Sequence, residues 1–219
     1  EFTRITFEPD FKKFKMAELD KDIISLLKKR VYDVAGTSPN RIKVYLNNKQ
    51  IKINNFKDYV DLYIKDKYFD EENKSEFPKV LANFTERWEV IFSMTDGTFQ
   101  QVSFVNGICT TKGGTHVSYI VDQIVNRVSE HIKKKSKEIK LNTNQIKQNI
   151  WIFLNCKIEN PAFDSQTKET LKTPVQNFGS ECNLKESFIK EFLKSAIVTN
   201  SIEYGKAKAK VKVHKALSS

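Results

Sequence analysis

The run I-W-I-F-L-N-C-K-I-E-N-P-A-F-D-S-Q-T-K, Ile150 to Lys168, decides the reading of this chain. Ile150 to Lys157 is apolar on both sides of the strand alternation, the pattern of a central strand covered on two faces. Pro161 and the polar residues after it turn the chain into a loop that carries Gln166, Thr167 and Lys168. Lys168 offers a compact charge with several donors, and Gln166 can aim a neutral donor at the same oxygens, which suits a terminal phosphate. On residue chemistry alone a solvated surface loop is the stronger reading. Nothing else in the chain supplies a base pocket or a metal ligand, so the three residues could sense a nucleotide but not bind one unaided.

Working upstream, Thr143 to Asn149 predicts a short helix. Before it, Gly113-Gly114-Thr115 opens a long one, with Thr115 as its cap and Val117, Ile120, Val121, Ile124, Val125, Val128 and Ile132 as one apolar stripe. The order K-G-G-T is not that of a phosphate-binding loop. The glycines suit a tight strand-to-helix turn, and His116 a packing or hydrogen-bonding role in the first helical turn. Lys133, Lys134, Lys135 and Lys137 close that helix, where cations complement the helix dipole and also suit non-specific contact with a DNA backbone. No aromatic residue interleaves with them, so base stacking is not indicated. Trp88, Val90, Phe92 and Met94 alternate with polar neighbours, and Asp96-Gly97 turns the chain into Phe99 to Asn106, which predicts a hairpin.

Nearer the start, Arg4 to Phe7 predicts a strand. A helix follows, capped by Asp20 and stopped by Gly36 and Pro39, with Leu19, Ile23, Leu26, Leu27, Val31 and Val34 on its apolar face. Two strands joined at Asn47-Asn48 and an amphipathic helix from Phe56 to Asp66 come next, then a polar insertion from Asp70 to Lys79. Beyond the central strand, Leu184 to Leu193 and Ile197 to Leu217 predict helices. In the second, Lys206, Lys208, Lys210 and Lys212 alternate with a strand-like period, yet Ala and Lys favour helix.

With 219 residues, 39% of them hydrophobic, the chain can bury a substantial core in one or two domains. A formal charge of +10 favours polyanionic partners, nucleic acid first. No apolar run approaches the length of a membrane span and the first residues do not resemble a signal peptide, which predicts a soluble intracellular protein without a membrane partner. Three scattered cysteines, Cys109, Cys156 and Cys182, fit neither a disulfide framework nor metal spacing. No Ser-His-Asp set, metal-ligand cluster or carboxylate pair stands out.

Ser103 to Val117 (S-F-V-N-G-I-C-T-T-K-G-G-T-H-V) together with Trp151 to Lys168 resembles the transducer region of eukaryotic type II DNA topoisomerases. R-I-T-F-E-P-D, L-D-K-D-I, K-K-R-V-Y-D-V-A-G and Y-V-D-L-Y-I-K-D extend the resemblance over nearly the whole chain. It implies an α+β fold similar to the second domain of a small-subunit ribosomal protein, a mixed sheet with helices on one face. Residues 1–54 would be the C-terminal portion of a GHKL ATP-binding domain, 55–200 the transducer, and 201–219 the start of a connecting helix toward the DNA-cleavage core. Gln166, Thr167 and Lys168 would meet the ATP γ-phosphate, and Lys133, Lys134, Lys135 and Lys137 would face double-stranded DNA. ATP and Mg2+ would be used by the whole enzyme, a nuclear homodimer. Without an E-x-x-x-N metal helix or a Gly-rich lid, the fragment would be inactive alone. A stand-alone basic nucleic-acid-binding module, or the transducer of another GHKL ATPase such as bacterial gyrase, are the alternatives.

Overall fold

The computed structural model describes residues 2–68, 81–95, 97–135, 141–195, 197–203 and 205–207. Helix α1 (Lys21–Thr37) starts as expected, with the Asp20 side chain accepting from the Ile23 amide. The hairpin β1 (Tyr45–Leu46) and β2 (Lys49–Gln50) turns at Asn47 and Asn48, whose φ angles of 48° and 62° are left-handed. Helix α2 (Phe56–Tyr68) follows, then β3 (Leu81–Phe84), β4 (Trp88–Met94), β5 (Gln100–Val105) and β6 (Ile108–Cys109).

Strand β7 (Gly113–Gly114) leads into the long helix α3 (Thr115–Lys135). The short α4 (Thr143–Lys147) is closed by a capping box between Asn142 and Gln145, and β8 (Ile150–Cys156), β9 (Thr170–Leu171) and α5 (Glu186–Phe192) complete the order. Residues 197–203 are helical, the opening of the expected last helix. The expectations for Asp70 to Lys79, for Lys137 and for the tail beyond 207 lie outside the described residues.

The mixed sheet runs β3-β4-β8-β5-β6, with β8 central, antiparallel to β4 and parallel to β5. This is an α+β fold as expected, but it corrects one pairing. Trp88 to Met94 and Phe99 to Asn106 do not pair as a hairpin, because β8 lies between them. A strand buried on both faces needs a hydrogen-bonded neighbour on each edge as well. The crossover β5-α3-β8 supplies the parallel neighbour, and β4 closes the other edge.

Along β8, alternate side chains go to two cores. Ile150, Ile152, Leu154 and Cys156 join the apolar stripe of α3 together with Phe188 and Phe192 of α5, all buried. Trp151 and Phe153 face the other way, into Phe56, Tyr59, Val60 and Ile64 of α2. The long helix packs on one face as expected, and α2 forms a layer on the opposite face. Its Tyr59 hydroxyl donates to the buried carboxylate of Asp33 on α1 at 2.6 Å.

Two further expectations are corrected at the start of the chain. Arg4 to Phe7 forms no strand: among the described residues it has no partner strand, and Phe2, Ile5 and Phe7 stay exposed. On α1 the predicted apolar face is not the buried one. Leu26, Leu27 and Val34 are about half exposed, whereas Asp33, Ala35 and Gly36 are buried, Asp33 and Gly36 against Tyr59 of α2. Periodicity marks a face that wants cover and cannot say which face the described elements cover.

Candidate functional site

Gln166, Thr167 and Lys168 sit at the tip of a tight loop whose two arms are tied together. Phe163 bridges Leu171, and the Lys172 amide donates to the Ala162 carbonyl at 2.8 Å. Nearer the tip, the Asp164 amide donates to Thr170 O and the Thr170 amide donates back to the Asp164 carboxylate, both at 3.1 Å. The Thr170 hydrogen bond holds the Asp164 carboxyl below its ordinary range. At the turn itself the Lys168 amide donates to Ser165 O at 3.0 Å, and the Ser165 and Thr167 hydroxyls bond at 2.8 Å. Lys168 has φ +58°, a left-handed geometry that a lysine adopts only when its surroundings impose it.

A second loop braces the first. Lys112 donates its amide to Glu169 O at 2.9 Å and its ammonium to the Glu169 carboxylate at 2.7 Å, which raises the Lys112 pKa. Lys112 is therefore engaged inside the scaffold, in keeping with K-G-G-T being no phosphate loop. Gly113 and Gly114 pair in parallel with Thr170 and Leu171. Gln101 reaches from β5 to the carbonyls of Thr110 and Thr111, holding the approach to the glycines. His116 is fully buried, shares a 3.1 Å hydrogen bond with Thr110, and burial pushes its pKa down to about 3. It is a neutral packing residue, the role expected for it. Thr115 departs from the expected cap: its hydroxyl donates to Thr173 O at 2.7 Å, tying the start of α3 to the far arm of the loop.

The basic side chains are set apart from this loop. Lys133, Lys134 and Lys135 occupy the last turn of α3 and are exposed. A helix rising about 1.5 Å per residue puts them roughly 30 Å from the glycine end. The structure thus joins the two candidate sites by one rigid element and does not bring them together. Sequence reasoning missed Glu169, Asp164 and Gln101. Lys112 and Glu169 are 57 positions apart, and no local spacing signals such a pair.

Among the described residues, no group of three or more His, Cys, Asp or Glu could hold a metal ion, and no helix is long and apolar enough to cross a membrane.

A family model described as DNA gyrase B matches residues 55–217. The chain belongs to the DNA gyrase B family, among the type II topoisomerases. DNA topoisomerase 2 of Bombyx mori is 48% identical over 217 residues, 99% of this chain and 14% of that protein. The ATPase region of Saccharomyces cerevisiae topoisomerase II has the same fold, with a TM-score of 0.80 and 47% identity, over 90% of this chain and 49% of that one. The ATPase and transducer domains of DNA topoisomerase II from Balamuthia mandrillaris give a TM-score of 0.81 at 33% identity, over 92% of this chain and 49% of that one. This member of the DNA gyrase B family therefore corresponds to part of an ATPase region and spans about one-seventh of the Bombyx relative.

Proposed function

We propose that the chain reads the γ-phosphate of ATP through Gln166, Thr167 and Lys168, and couples nucleotide state to N-gate closure and DNA strand passage in an ATP-dependent type II topoisomerase. The observation that carries this reading is the state of the loop tip. Lys112 is occupied by Glu169 and Asp164 by Thr170, whereas Lys168, among the described residues, makes no ion pair. A rigid loop that leaves one ammonium unspent, beside an exposed carboxamide, fits an anionic ligand arriving from outside. ATP and Mg2+ would be held mainly by other parts of the enzyme, and residues 1–219 alone would not hydrolyse ATP.

Each charge-assisted hydrogen bond from the tip is worth about 1.5–3 kcal/mol, enough to bias a two-state hinge by one to two orders of magnitude. The loop is stitched to the start of α3, and α3 ends at Lys133, Lys134 and Lys135, which with Lys137 would contact the backbone of double-stranded DNA. Phosphate state and DNA state would then share one coupling free energy, felt equally from either end. In this reading residues 1–54 belong to the ATP-binding domain, 55–200 to the transducer, and 201–219 to a connecting helix, in a nuclear homodimer.

The decisive experiment places Lys168→Ala in the full-length enzyme. Nucleotide-driven gate closure and ATP turnover should fall at least tenfold while the melting temperature holds. Normal turnover with steeply salt-dependent DNA binding would instead favour a basic nucleic-acid-binding module.

A further inference from the structure

A cleft of about 560 Å³ opens between the last turns of α3 and the helix α5. Lys135 and His131 line it from α3, Lys190 and Lys194 from α5 and the turn that follows it, and Leu193, Val198 and Ile202 add apolar lining, while the Thr199 hydroxyl donates to Ser195 O at 3.4 Å. No carboxylate is among its lining residues, and among the described residues none of the three lysines has an ion-pair partner. The nearby acid Glu186 is taken by Arg127. Like charges gathered around one cavity repel one another unless an anion joins them. His131 registers the same field. Its imidazole is held below the ordinary range by burial first and then by Lys135 and Lys134, and its buried Nε2 has no hydrogen-bond partner among the described residues.

A lysine run on one helix is satisfied by solvent alone, but here a second element contributes. Lys190 and Lys194 are four residues apart and reach the cleft from the side opposite Lys135. The geometry points to a two-sided cradle for a backbone phosphate of duplex DNA, with Lys190 and Lys194 extending the contact surface from the lysine run of α3 onto α5. This assignment rests on the proposed DNA contact of Lys133, Lys134 and Lys135 and adds to it residues that no sequence motif marks. Recognition would be independent of sequence, because lysine ammoniums address phosphate oxygens and no base edge.

The test uses the full-length enzyme in four forms: unaltered, Lys190→Gln with Lys194→Gln, Lys133→Gln with Lys134→Gln, and Lys190→Arg with Lys194→Arg. The readout is the duplex concentration giving half-maximal stimulation of ATP hydrolysis across a salt series, with a thermal melt as the check on folding. Losing the one cradled phosphate should reduce the log–log salt slope by about 0.9, so the affinity lost between about 50 and about 200 mM salt should shrink roughly three- to fourfold in the Lys190/Lys194 glutamine pair. The arginine pair should keep the slope of the unaltered enzyme. A full slope in the Lys190/Lys194 glutamine pair, with a reduced one in the Lys133/Lys134 pair, would overturn the cradle and leave the lysine-run contact standing. Full slopes in both glutamine pairs would remove both.

Discussion

Gly114 lies so close to the backbone of Leu171 that a Cβ on it would stand 2.6 Å from the Leu171 nitrogen, and its φ of +138° is one that side-chain-bearing residues avoid. Those two facts make one glycine the weld between the K-G-G-T turn and the Q-T-K loop. Gly114→Ala should separate β7 from β9 at a cost of about 1–3 kcal/mol in backbone strain, plus whatever the displaced strand loses in pairing. The expected result is a lower denaturation midpoint and, with Lys168 itself untouched, weaker coupling of nucleotide to gate closure. Gly113, which has room for a Cβ at 3.5 Å from Val117, should give a smaller loss when replaced by alanine, set by its φ of +75° alone.

Lys168 combines a charge with a left-handed backbone, and the two can be separated. Asn tolerates φ near +58° better than most residues. Lys168→Asn should therefore leave stability within about 1 kcal/mol of the unaltered protein while removing the ammonium. If the side chain contacts a phosphate, nucleotide-dependent closure should weaken about tenfold to a hundredfold, matching one or two lost charge-assisted bonds. Closure unchanged in Lys168→Asn but impaired in Gly114→Ala would assign the loop a purely structural part.

Tyr59 joins α2 to α1. Its hydroxyl donates to Asp33 and accepts from Tyr63 at 2.8 Å, and the carboxylate also accepts from the Lys29 ammonium at 2.8 Å. Burial, then Tyr63 and Asp33, keep the phenol protonated far above its ordinary range. Tyr59→Phe keeps the ring stack on Phe56 and the edge-to-face contact with Phe104 and deletes only the hydroxyl. A loss of about 1–3 kcal/mol in urea denaturation is expected, because Asp33 stays buried with one donor fewer. Tyr63→Phe, at the outer end of the network, should cost less.

Where local patterns carried long-range information, the fold was legible in the chain. The stripe of α3 is buried residue for residue, and the Asn47-Asn48 turn has the positive φ angles its residue types invite. The doubly apolar β8 is central. What stayed hidden depends on partners. Asp96-Gly97 reads as a turn signal in the sequence, but which strands pair depends on the parallel crossover through α3, whose pairing positions are about 50 residues apart. The α1 stripe looks like a core face by period, yet Leu26, Leu27 and Val34 are exposed and the rest of it half-buried, because the described elements cover the side bearing Asp33 and Gly36. At the site, the Q-T-K residues stood out by their chemistry, whereas the scaffold that orients them is made by Lys112, Glu169 and Asp164, ordinary surface types until folding brings them together.

His116 sets a pH limit on that scaffold. It is buried against Thr110, its Nδ1 has no hydrogen-bond partner among the described residues, and burial pushes its pKa down to about 3 in the folded chain against about 6.5 when unfolded. Between those values the unfolded chain binds a proton that the folded chain refuses, so this residue's contribution to stability is intact above about pH 6.5 and drains away as pH falls toward 3, by about 1.4 kcal/mol per unit. Carboxylates such as Asp164, held below their ordinary range, also lose stabilisation in acid, so the imidazole must be isolated by difference. His116→Gln retains a hydrogen-bonding atom for Thr110 and cannot titrate. Comparing urea midpoints at pH 7.5 and pH 4.5, the unaltered protein should lose about 2–3 kcal/mol more than His116→Gln over that interval. Equal losses in the two would mean that the imidazole meets water in the folded state, and that the turn into α3 is looser than its burial implies.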